Sequence, residues 1–143
     1  MATPDEIEED LGWLFARLTR RMIALEQPIL TPHGLSMWGY AVLSGVVAEP
    51  DRPQVAVARG VGLDRTTMVS VLDELEAAGL VLRTPDPSDR RARLLAPTPE
   101  GARTLAAVRR EIRALERKLV DTLPARLRDE LRPALRTLLA GDD

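Results

Sequence analysis

The chain has 143 residues, 45% apolar and 29% charged, with a formal net charge of −2, which fits one compact domain with helical extensions and no disordered composition. With no cysteine, disulfides, thiolate metal sites, iron–sulfur clusters and thiol redox chemistry are excluded, and a single histidine, His33, leaves no multi-histidine metal site. No apolar run approaches the roughly 20 residues that cross a bilayer, and the acidic start MATPDEIEED lacks a signal peptide's basic lead, so a cytoplasmic protein without a metal or cofactor is expected.

The first element is a helix with a capping-box start at Thr3, Pro4 and Glu6. It runs to about residue 27, with Ile7, Leu11, Leu14, Leu18, Met22 and Leu25 on one stripe. The segment QPILTPHG reads as a loop. Ser36 then caps a second, mostly buried helix to about residue 48. EPDRPQ turns the chain, Pro53 starts a short helix, and Gly60 and Gly62 end it. Asp64 caps the next helix, which carries Met68, Leu72 and Leu75 on one face and stops at Gly79. Two short helices joined by a tight glycine turn are the helix-turn-helix signature.

GLVLRT and RRARLLA flank PDPSD as a β-hairpin, a two-stranded wing. Thr98 and Pro99 start a long helix whose Leu105, Val108, Ile112, Leu115 and Leu119 form a seam for packing on another helix. A last helix runs from Pro124 to about residue 140, with Leu127, Leu131, Leu135 and Leu138 facing inward and a bend at Pro133. The expected architecture is mainly α with a small two-stranded β wing. A winged helix-turn-helix region covers 36–97, and helical dimerisation segments cover 3–30 and 98–140. Apolar stripes at both ends exceed what one small domain covers, which calls for a homodimer.

At a pI near 5.5 the chain is not globally basic, so nucleic-acid binding needs a local patch. Of the 20 basic residues 19 are arginine, which suits bidentate phosphate and base-edge contacts. With Met68, Leu72 and Leu75 inward, the helix after Asp64 turns Thr66, Ser70 and Asp73 outward, flanked by Arg65, Thr67 and Glu74. Its small, hydroxylated, Arg-bearing first turn suits a major groove, while Asp73 and Glu74 repel phosphate and limit insertion. From 79 to 93 there are four Arg and two Asp, a net +2. Arg90, Arg91 and Arg93 on a proline-stiffened hairpin can enter a narrow minor groove, with Asp89 orienting the Arg91 guanidinium by a charge-assisted hydrogen bond. The DNA-contact candidates are Gln54, Arg65, Thr66, Thr67, Ser70, Asp89, Arg90, Arg91 and Arg93. The plainer reading of Arg65, Thr66 and Thr67 is ordinary capping, and Arg103, Arg109, Arg110 and Arg113 read as a solvated helix face.

GLDRTTMVSVLDELEAAGLVLRTPDPSDRRARLLAPTPEG, from 62 to 101, resembles the MarR family of winged helix-turn-helix transcriptional regulators. Asp-Arg-Thr-Thr opens the recognition helix, Leu-Glu-x-x-Gly-Leu-Val closes it, Asp-Arg-Arg forms the wing and Thr-x-x-Gly opens the next helix. The resemblance implies a triangular homodimer whose end helices interdigitate and whose winged domains sit on successive major grooves of a pseudo-palindromic operator. It also implies that Asp89 and Arg91 are the wing pair and that Thr66 and Thr67 meet DNA. Ser70 and Glu74 stand where family members often carry basic residues, and Pro97 stands where an aliphatic strand residue is usual, which shortens the second wing strand.

A small aromatic or phenolic, anionic effector bound between the dimerisation helices and the winged domain is a further implication. Candidates for it are Trp13, Arg17, His33, Trp38 and Tyr40. The plainer reading makes the aromatics core residues and His33 a solvated loop residue. The expected function is a sequence-specific DNA-binding regulator, a repressor released by such an effector. The alternative is a winged-helix protein-interaction module without DNA binding, which Ser70, Glu74 and the acidic pI keep open. An enzyme is disfavoured: no histidine stands beside a serine, and no glycine loop is built to cradle phosphate.

Overall fold

The structure is a computed structural model that describes residues 10–141. The capping box at Thr3, Pro4 and Glu6 lies outside the described residues, as does Ile7. In chain order the elements are α1 (Leu11–Leu30), a 3₁₀ turn (Thr31–His33), α2 (Met37–Ala48), β1 (Arg52–Pro53), α3 (Gln54–Val61), α4 (Arg65–Ala77), β2 (Val81–Asp86), β3 (Asp89–Pro97), α5 (Pro99–Val120) and α6 (Ala125–Leu139).

Helix starts follow local hydrogen bonding. Asp10 accepts from the Gly12 N–H at 3.1 Å, Ser36 from Gly39 at 3.0 Å, Asp64 from Thr67 at 2.9 Å and Thr98 from Gly101 at 2.9 Å. Each satisfies an amide that the first helical turn leaves without a partner. Gly62 and Gly79 take positive φ values of 74° and 71°, which end α3 and reverse the chain after α4.

α1 departs from the expected end at residue 27 and continues through Pro28 to Leu30. An interior proline costs about 3 kcal/mol. Burial of a Leu side chain returns about 1.5–3 kcal/mol, and Leu30 is only 2% exposed, with Ile29 packed on the same core. The two effects are comparable, and the helix persists. α6 continues as a helix through Pro133 to Leu139, with half-buried Leu131 and Leu135 on either side of the proline.

The wing contains three strands rather than two, in the order β1-β3-β2, all antiparallel. β1 pairs Arg52 with Leu95 and Pro53 with Leu94, in a stretch expected to be a turn. Asp51 enters it at φ 61°, and its N–H donates to the Leu95 carbonyl at 2.9 Å. Asp tolerates the left-handed region better than most residues, and Pro53 on an edge strand forfeits no interior ladder bond. Pro97 does not shorten β3, which runs to it and pairs it with Val81. The next pair, Thr98 and Leu80, carries the hydrogen bond at 3.0 Å, so by antiparallel alternation Pro97 faces β2 at a position where no donor is needed.

One core joins the elements. Val42, Leu43 and Val46 of α2 meet Met68, Leu72 and Leu75 of α4, Leu95 of β3, and Leu105, Val108 and Ile112 of α5. Thr98 ties the wing base to α5: its hydroxyl donates to the Gly79 carbonyl at 2.6 Å while accepting from Gly101. α6 is tied back by Arg132–Glu116 of α5 at 2.6 Å and by Arg128–Asp121, just past the end of α5, at 2.9 Å. Leu127 and Leu138, expected to face inward, are 50% and 66% exposed on the single chain.

Candidate nucleic-acid interface

α4 buries Met68, Val71, Leu72 and Leu75, so helical periodicity turns Thr66, Ser70 and Asp73 to solvent on one face. Arg65, Thr66 and Ser70 are exposed, and their side chains make no hydrogen bond or ion pair among the described residues. Thr67 differs. Its hydroxyl donates to the Asp64 carboxylate at 2.7 Å, while its N–H donates to the other oxygen. These two bonds, the backbone one foremost, hold the Asp64 carboxyl below the usual carboxylate range. Thr67 therefore serves the cap, the plainer of its two readings. Gln54 stands half-buried at the first residue of α3.

The wing turn is built by carboxylates acting on the backbone. Asp86 accepts from the Ser88 hydroxyl at 2.7 Å and the Ser88 N–H at 2.8 Å, which lowers its pKa, the hydroxyl foremost. Asp89 accepts from the Arg91 backbone N–H at 2.9 Å. Through this bond Asp89 shapes the strand start, and among the described residues the Arg91 guanidinium makes no bond to it. The Arg93 guanidinium folds back on the carbonyls of Ala92 and Arg90 at 3.2 and 3.4 Å. Arg90 and Arg91 are exposed, and their guanidinium groups have no partner among the described residues. They are the cations the wing presents.

Arg83 was counted with the wing charge, but its guanidinium points back to α4. Nη2 lies 2.6 Å from Asp73 Oδ1 and Nε lies 2.5 Å from Glu76 Oε2. The hydrogen bond to Asp73, ahead of that to Glu76, raises an already high arginine pKa. Asp73, expected to repel phosphate as a bare charge, is thus paired in place, sharing the one cation with Glu76. Sequence pattern could not show this, since the partners lie 10 and 7 residues away and meet only once the strand direction is set.

The five effector candidates fall into two groups. The Arg17 guanidinium stacks 4.7 Å from the Trp13 ring, and these two line an open cleft with Arg20 and Arg21. His33, Trp38 and Tyr40 belong to the 3₁₀ turn and α2. With a 1.5 Å rise per residue, Trp13 lies roughly 25 Å along α1 from its C-terminal end, so one chain does not bring the groups together. His33 Nε2 is 3.8 Å from Glu111 Oε1, Tyr40 packs on the core, and Trp38 is 40% exposed. One turn after Tyr40, Ser44 holds a buried hydroxyl with no partner among the described residues, a polar group that sequence pattern alone does not mark.

Known proteins match this arrangement. A family model described as MarR family matches residues 33–92. A putative transcriptional regulatory protein for the hcr operon of Thauera aromatica is 32% identical over 132 residues, 90% of this chain and 77% of that protein. The PcaV transcriptional regulator of Streptomyces coelicolor, in complex with its natural ligand, superposes with a TM-score of 0.87 at 29% identity, covering 100% of both chains. The transcriptional repressor CouR, bound to a 23-mer DNA duplex, gives 0.86 at 33% identity over 97% of this chain and 99% of that one. CouR from Rhodococcus jostii RHA1 bound to p-coumaroyl-CoA gives 0.77 at 33% identity over 92% and 93%.

Proposed function

Because the chain belongs to the MarR family of transcriptional regulators, we propose that it works by binding duplex DNA as a homodimer at a pseudo-palindromic operator. It is a regulator and not an enzyme. Each copy lays the start of α4 in a major groove, where Arg65, Thr66 and Ser70 meet base edges or phosphates, with Gln54 at the start of α3 beside them. Arg90 and Arg91 enter the flanking minor groove, where negative potential is greatest. Arg93 braces the wing, and Asp89 sets its backbone.

The observation that carries this reading is the pair of free, exposed guanidinium groups on a wing bound to a helix whose outer first turn is equally unpartnered. The DNA-bound state of CouR supports the same use of the fold. Dimerisation follows from the apolar faces left on α1, with Leu11, Leu14, Phe15 and Leu18 all 42–66% exposed, and on α6. Among the described residues no helix is long and apolar enough to cross a membrane, which suits work on cytoplasmic DNA.

The regulatory input is an aromatic effector seated where α2 meets the end of α1. Trp38 and Tyr40 supply ring surface, His33 a polar edge, and Ser44 an unused hydroxyl. Trp13 and Arg17 offer a second aromatic and cationic surface. The ligand-bound states of PcaV and CouR support this reading. The effector releases DNA by favouring a spacing of the two α4 helices that cannot span successive grooves.

A mobility-shift titration with DNA from the protein's own upstream region, repeated with phenolic acids and their coenzyme A thioesters, tests both parts. Specific shifts that weaken steeply with salt and are reversed by one ligand class are expected. No specific shift would overturn the DNA reading, and shifts indifferent to every ligand would overturn the effector reading.

A further inference from the structure

We infer that Arg83 is a positioning residue that locks the wing to the recognition helix α4 and screens that helix's own carboxylates from DNA, an inference that rests on the DNA-binding reading above. Arg83 lies on β2, and its two ion pairs reach Asp73 and Glu76 on the outer half of α4. Its side chain is 24% exposed, against 60% for Asp73 and 41% for Glu76, so the cation sits inside the cleft between strand and helix while the carboxylates form its rim.

The planar guanidinium fork can serve two carboxylates from two different nitrogens at once, which an ammonium point charge does without directional control. Asp73 follows Thr66 and Ser70 at helical spacing on the same outward face. Unpaired, its charge would meet the phosphates first. Paired, it becomes one wall of a bridge that fixes the angle between the element meant for the major groove and the element meant for the minor groove. Arg83 thus spends its charge on the protein, and it makes no phosphate contact of its own.

That last point separates positioning from direct binding. A phosphate-contacting arginine contributes about one unit to the slope of log affinity against log salt. A positioning arginine contributes affinity without slope. The experiment uses full-length protein, a duplex selected from a random pool by the wild type, and fluorescence anisotropy from low to moderate salt. Arg83→Gln is expected to weaken selected-duplex binding about tenfold, the scale of one charged hydrogen bond, with some loss of slope from the carboxylate it bares; adding Asp73→Asn, which restores the local net charge, should return the wild-type salt slope. Arg91→Ala, run beside it, should lose about one unit of slope.

Arg83→Lys keeps the charge and loses the fork. It should bind more weakly than wild type, at unchanged slope, and it supplies the answer if Arg83→Gln does not fold. Adding Asp73→Asn to Arg83→Gln should recover part of the affinity by removing the uncovered charge. A slope that stays about one unit low in the variant carrying both Arg83→Gln and Asp73→Asn would overturn the proposal, because with the local charge restored only a lost phosphate contact explains it. Unchanged affinity in both Arg83→Gln and Arg83→Lys would overturn it as well. A wild type that selects no duplex would remove the DNA reading itself and this inference with it, an outcome distinct from the other two.

Discussion

Arg90 and Arg91 hold the wing's charge in reserve because two neighbouring carboxylates, Asp86 and Asp89, are spent on backbone and hydroxyl donors instead. Arg91→Ala should therefore remove a contact without disturbing the turn. It is expected to cost about 1–3 kcal/mol of operator affinity, with the melting temperature close to wild type, checked by anisotropy and thermal denaturation. A second expectation concerns Glu26 on α1, whose carboxyl is pushed above its ordinary range by burial first and by Glu116 second. A carboxyl that binds its proton more tightly when folded favours the native state at low pH, and the advantage fades as pH rises through the raised value. Glu26→Gln should consequently melt higher than wild type at pH 7, with the difference closing as both are brought to acid pH. The cap residues Ser36, Asp64 and Thr98 were readable from sequence because each acts on an amide three positions away. Arg83, Ser44 and the competing use of Thr67 were not, since their meaning depends on what folding brings beside them.

At the scale of elements, the wing is a small sheet anchored at its base, and Gly101 is where the anchor is tightest. A Cβ on Gly101 would stand 2.0 Å from the Leu80 carbonyl oxygen, which is backbone and cannot rotate away. That oxygen also accepts the Thr98 N–H. Gly101→Ala should push α5 off the wing base and cost about 1–3 kcal/mol or more, the range for forced overpacking. Denaturant unfolding would measure the stability loss, with operator affinity falling alongside. α4 and the hairpin were legible because their periodicity and turn residues agree, and α2 because Ser36 caps a mostly apolar run. β1 was not, since two residues carry no period and its pairing with Leu94 and Leu95 is a long-range event. The end of α1 was misread at Pro28 because local propensity lost to burial, whereas α6 ends at Leu139, as its pattern indicated, with Pro133 inside it.

For the whole molecule, the apolar faces of α1 and α6 are what a single chain leaves unfinished. The stripe Leu11, Leu14 and Leu18 was visible in the sequence and stays exposed in the structure, so the sequence itself contained the argument for a second copy. Leu14→Glu with Leu18→Glu should shift the protein from dimer to monomer in size-exclusion chromatography. It should also weaken operator binding on the order of 100-fold, because the two half-sites then no longer act together. What sequence could not supply is the separation of the Trp13 and His33 groups, which lie toward opposite ends of α1 in one chain. The most direct test of the central claim is sedimentation velocity of the protein with a labelled duplex that it has itself selected from a random pool. The account predicts two chains on each duplex bearing paired half-sites; one chain per duplex, or no duplex selected above background, would contradict it.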